Sequence, residues 1–158
     1  MEGAFIMKKL LVGIAFILIS TLVVMFHIEK DEKEATKQIN SLFERIFVEG
    51  DNDYNEMIEG QTEDIERKLY EKYSYYFTLN GWDMAAKGRI VTLGIKQYQQ
   101  MHSIPQDIKM KITERKDMEN WYLCQIELLY ENENVYSYIF NVQCVKQGNE
   151  WLIDYIAK

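Results

Sequence analysis

The chain has one proline, Pro105, in 158 residues, and only two cysteines and two histidines. It contains no low-complexity tract and no internal repeat, so nothing marks an interdomain linker. With His27 and His102 as the only histidines and no C-x-x-C pair, a transition-metal site and a redox motif lack their ligands. No Ser/His/Asp arrangement, glycine-rich phosphate loop or G-x-S-x-G element occurs, and no cofactor is expected. Clusters of lysine and arginine are missing too. A formal net charge of −7 therefore argues against nucleic acid as a partner and against a domain lying on anionic headgroups.

What the chain does have is an apolar run, Leu10 to Phe26, with only Ser20 and Thr21 as polar members. As a helix these residues span roughly 25 Å, near the lower limit for a bilayer's hydrocarbon core. Lys8-Lys9 precede the run, and Met7-Lys8-Lys9-Leu10 resembles the start of a bacterial export signal. The residues after it, His27-Ile28-Glu29-Lys30-Asp31, offer no A-x-A-like cleavage site, and no cysteine there suits a lipid anchor. An uncleaved signal anchor is the better reading, with a cleaved signal peptide as the alternative. The orientation expected is N-in and C-out, although Lys30, Lys33 and Lys37 on the outer flank weaken the basic-residue bias. The division expected is a tail at 1–9, the anchor at 10–26, a charged stalk at 27–34 and one domain at 35–158. Stalk and domain together, residues 27–158, are more acidic than the whole by one unit, because Glu2, Lys8 and Lys9 are the charged residues before residue 27. An aromatic content of 13% suits a packed core rather than disorder.

After the stalk, Ala35, Ile39, Leu42, Phe43, Ile46 and Phe47 recur at helical spacing, and Gly50 to Asp53 end that helix. A short helix is expected around residues 54–58. Thr62 suits an N-cap for a second long helix with the stripe Ile65, Leu69, Tyr73 and Tyr76. Residues 78–82 read as a turn and 83–101 mostly as helix, with Gly94 and the β-branched Ile90, Val91 and Ile95 weakening its middle. Beyond Pro105 the period changes. Ile108, Met110 and Ile112 alternate with polar residues, and strands are expected at 121–130, 135–146 and 151–156. Helices followed by an antiparallel meander of about four strands make an α+β fold. Cys124, Ile126 and Leu128 share a face, as do Tyr138, Phe140, Val142 and Cys144. Joining those faces needs partners of equal parity, such as Cys124 with Val142, and hence an odd-numbered loop such as 132–134.

In that register Cys124 and Cys144 are diagonal neighbours, farther apart than a disulfide wants without a bulge. Two separate core residues are the ordinary reading, and a bridge is the alternative. Carboxylates at 51–53 and 131–133 sit at turns and read as solvated surface. Asp154 falls in the last strand, where Leu152 and Ile156 share its expected face and Trp151, Ile153 and Tyr155 occupy the other. A carboxylate there needs a partner or a pocket mouth. Arg89, between Gly88 and Ile90, can reach a carboxylate or a ligand anion; a charge in water is the ordinary reading of both. Tyr70, Tyr73, Tyr75 and Tyr76 can line a pocket, and Tyr76 and Tyr138 join Arg89 and Asp154 as candidate pocket residues, although a tyrosine stripe at helical spacing is more often core.

The amphipathic helices and the closing strand Gly148-Asn149-Glu150-Trp151-Leu152-Ile153-Asp154-Tyr155-Ile156 resemble the nuclear-transport-factor-two-like superfamily, in its small membrane-anchored Firmicute type. The resemblance covers about residues 33–158. It implies a cone in which a strongly bent sheet wraps helices around an apolar pocket. It also implies three readings. The first is a tethered extracytoplasmic domain that binds a small apolar ligand or an envelope protein without catalysis. The second is a scaffold subunit of an envelope conjugation or secretion complex. The third is an isomerase or cyclase, with Asp154 as general base.

Overall fold

The computed structural model describes residues 2–48, 62–131 and 134–158, with side chains for all of these except 2–19, 27, 28 and 62–64. The expected short helix at 54–58 lies outside them. The chain divides into two compact units, 1–34 and 35–158. Helix α1 runs Glu2–Phe47, so the apolar run and the charged stalk are both helical. Among the described residues no helix is long and apolar enough to cross a membrane. Within the first unit, Leu22, Val23, Val24, Met25 and Phe26 are all more than half exposed. Lys30 and Glu34 pair there at 3.8 Å across one helical turn.

The second unit is α+β. Residues 35–47 of α1 are followed by α2 (Thr62–Tyr73), a 3-10 turn at Ser74–Tyr76, α3 (Leu79–Lys87) and α4 (Leu93–Met101). Strands β1 (Asp107–Glu114), β2 (Trp121–Leu129), β3 (Val135–Gln147) and β4 (Glu150–Ala157) then form an antiparallel sheet in sequence order. The expected apolar stripe of α1 is the centre of the core. Ala35, Ile39, Leu42, Phe43, Ile46 and Phe47 are at most 1% exposed. Phe43 packs its ring 4.7 Å from that of Phe140, and Phe47 stacks on Tyr138 at 5.5 Å. Even-numbered residues of β2 and β3, from Tyr122 to Leu128 and Tyr138 to Cys144, turn inward against that stripe. The alternation is what a sheet with one covered face requires.

The hairpin parity holds, but the register differs by two residues. Cys124 pairs with Phe140 rather than Val142, and Leu129 pairs with Val135 across a five-residue connection. Tyr130 is buried, and its amide donates to the Asn134 carbonyl, which carries the same register one pair beyond the strands. This register puts Cys144 beyond the start of β2, where its amide donates to the Asn120 carbonyl. No bridge forms: both cysteines are free and buried. Burial pushes each thiol up to about 12, so neither is a thiolate near neutrality.

The expected helix at 83–101 is two helices. The break falls at residues 88–92 rather than at Gly94, which is buried inside α4. The expected turn at 78–82 is instead the start of α3, capped by Thr78, whose hydroxyl accepts from the Gly81 amide at 3.0 Å.

The last strand departs from simple alternation. Gln143 pairs with Tyr155 and Cys144 with Ile153, which leaves Asp154 as an extra residue, a β-bulge. The buried set moves from Trp151 and Ile153 to Ile156 across it. Asp154 therefore does not share a face with Leu152 and Ile156, as alternation predicts.

Candidate functional site

Helix α3 is fixed to β4 at the bulge. Phe77 bridges Ile153 in parallel, and the Thr78 amide donates to the Ile153 carbonyl at 3.0 Å. The Thr78 hydroxyl donates to Asp154 Oδ1 at 2.5 Å while it caps the helix. Asn80 Nδ2 donates to the Asp154 carbonyl at 2.9 Å. Gly81 completes the joint: a methyl group on its Cα would overlap the Ile153 carbonyl oxygen and stand 2.8 Å from that carbonyl's carbon. Only glycine lets the helix approach so closely.

The other end of α3 opens onto a groove of about 690 Å³ between α2 and α3. That volume is within the range of small-molecule pockets, roughly 300–1,000 Å³. Its apolar lining comes from the buried Leu69 and Val91, with Tyr70, Trp82 and Ala86. Trp82 meets Tyr70 edge-on, with centroids 5.2 Å apart and planes at 86°, and lies against Phe77 on its other side at 6.1 Å. The two rings lock each other in a favoured geometry, so the aromatic wall is preformed. Glu66, Thr92 and Arg89 supply the polar groups.

Arg89 owes its place to the way α3 ends. Amides of Gly88, Arg89 and Ile90 return to the carbonyls of Met84, Ala86 and Ala85, which tightens the last turn. Ile90 and Val91 are then drawn into the core. The reversal needs a left-handed residue, and Arg89 supplies it at φ 54°. Glycine is the usual choice there because a side chain in that region costs about 1 kcal/mol or more. The Thr92 hydroxyl donates to the Arg89 carbonyl at 3.0 Å and holds the turn. The Arg89 side chain is exposed and makes no ion pair among the described residues.

Of Arg89, Tyr76, Tyr138 and Asp154, the structure brings only Arg89 to this groove, and of the other candidate tyrosines it brings Tyr70. Tyr76 is buried in the core, sharing a hydrogen bond with the Ser41 hydroxyl at 2.9 Å. Tyr138 is also buried; its hydroxyl accepts from Gln97 Nε2, Phe47 covers its ring, and Lys158 Nζ stands 4.5 Å from the ring centre. Burial, the larger influence, holds the Tyr138 hydroxyl above its ordinary pKa. Asp154 is at the opposite end of α3, with its carboxylate engaged by Thr78 and Asn80. That engagement gives it the work of a helix anchor. Tyr70, one of the tyrosines expected as pocket liners, does line the groove, whereas Trp82, Leu69 and Val91 were not singled out for it. Tyr70 lies off the buried 65–69–73–76 stripe, as a tyrosine facing a groove should.

No family model matches the chain, and no curated protein matches it. A solved structure with some similarity, a protein of unknown function from Bacteroides thetaiotaomicron, is 15% identical with a TM-score of 0.45. The alignment covers 82% of this chain and 93% of that one.

Proposed function

We propose that the chain is a single-pass membrane protein whose α+β unit, a small member of the nuclear-transport-factor-two-like type, binds a ligand outside the cytoplasm. The observation that carries the binding reading is the preformed groove between α2 and α3, which joins a rigid aromatic wall to an outward-held arginine. The anchor rests on the uncharged run at 10–26 and on the five consecutive exposed apolar side chains at its end. A contiguous apolar stretch of that kind calls for a nonaqueous cover. Two lysines before the run support N-in, C-out.

Expression of the full chain in a bacterial host tests both parts. The expected protein resists carbonate extraction and loses residues 35–158 to protease added to spheroplasts. Purified gently, it carries a small organic molecule detectable by native mass spectrometry, absent from an Ala86→Trp variant with a filled groove. Extraction by carbonate removes the anchor. Equal ligand loads in the two proteins remove the groove.

A further inference from the structure

We infer that the groove selects a monoanionic ligand with a flat apolar body, seated on Trp82 with its charge on Arg89. This rests on the groove being a binding site, and it adds the chemistry of what binds. Three observations carry it. The wall made by Tyr70 and Trp82 is aromatic and fixed in place, which favours a planar or aromatic partner over a branched chain. Leu69 and Val91 are buried apolar residues beneath it, so the body of the ligand leaves water.

Arg89 is the third. The turn needs a left-handed residue, and any side chain there costs stability that glycine would spare. A guanidinium placed at such a position, exposed at a groove and without an ion pair among the described residues, presents its planar fork to a carboxylate or similar anion. The acidic balance of the chain gives the ligand no long-range attraction, so the selection is local. Glu66, which lines the same groove from α2, opposes a second negative charge. The ligand class is therefore a monoanion.

The test compares naphthalene-2-carboxylate with its neutral isostere naphthalene-2-carboxamide. Binding to the full chain in phosphatidylcholine nanodiscs is followed by ligand-observed NMR against empty discs. The carboxylate is expected to bind about tenfold more tightly, the equivalent of one charge-assisted contact. Arg89→Gly, which the left-handed turn accommodates, should remove that ratio by weakening the carboxylate far more than the carboxamide; Trp82→Leu should weaken both probes. Equal affinities in the wild type, or a ratio that survives Arg89→Gly, overturn the inference. If both probes bind equally and both are lost in Ala86→Trp, the groove stands and the anion selection falls. If neither binds, the two fall together.

Discussion

The two ends of the nine-residue helix α3 follow opposite rules. At its start the backbone of Gly81 meets the backbone of Ile153, with Thr78 and Asp154 closing the joint and no room for a methyl group. At its finish a charged side chain stands where glycine would be the easier choice, at the lip of an open groove. Close approach that excludes a side chain is a demand of packing, whereas a costly side chain at an open surface is a sign of use. The difference separates residues that hold the helix from residues that give it something to do. Substitutions at Thr78, Gly81 and Asp154 should change stability alone, and substitutions at Arg89 should change binding with little effect on stability.

The largest effect is expected from Gly81→Ala. The added methyl must displace either β4 or the first turn of α3, because its obstacle is a carbonyl group with no rotamer to relax. A loss of about 3 kcal/mol or more is expected from such overpacking, measured by urea unfolding of the full chain in detergent. A loss below about 1 kcal/mol would mean that α3 is not pinned at this end, and the comparison would break.

Asp154→Ala comes next. It deprives the Thr78 hydroxyl of its acceptor and Asn80 of a secondary contact at 3.5 Å, and should cost about 1–2 kcal/mol. Thr78→Ala removes the cap itself and should cost about 1 kcal/mol. Because the two act through one hydroxyl, the double variant should lose less than the sum of the singles. Strict additivity would show that the carboxylate and the cap are independent. Neither change should alter affinity for the naphthalene probes.

How far the sequence disclosed these two ends follows from what each residue signals locally. The strands were legible because Ile108, Met110 and Ile112, and the inward residues of β2 and β3, alternate without interruption. Parity of the hairpin followed from that alternation. Its register did not, since alternation fixes only which residues share a face, and Cys124 opposite Phe140 satisfies it as well as Cys124 opposite Val142. The bulge at Asp154 was hidden for a related reason: alternation is an argument about regular strands, and one inserted residue reverses it. The break after α3 was half legible: Ile90 and Val91, which weaken a helix, lie in it, but Arg89 occupies the position where glycine is the usual signal, and Gly94 offered a false one inside α4. The groove draws on α2, α3 and the turn after it, three segments with no common periodicity. Arg89 stood out as a charge beside two apolar β-branched residues, and Tyr70 as one of a row of tyrosines.

The smallest predicted effect is the most diagnostic of the second end. Arg89→Gly and Arg89→Ala remove the same charge, so any electrostatic contribution of the guanidinium at the carboxyl end of α3 is common to both. They differ in the backbone. Alanine keeps a β-carbon in the left-handed region, and glycine does not. Glycine also gives up more conformational freedom on folding, which offsets part of the relief. The glycine variant should therefore be the more stable of the two by about 0.5–1 kcal/mol in urea unfolding. Both should lose the preference for the carboxylate probe equally. If alanine proved as stable as glycine, the turn would not be under strain at residue 89, and the arginine there would need no explanation from function. If the glycine variant gains stability while anion selectivity disappears, the chain keeps at this position a residue that serves the groove at the expense of the helix end.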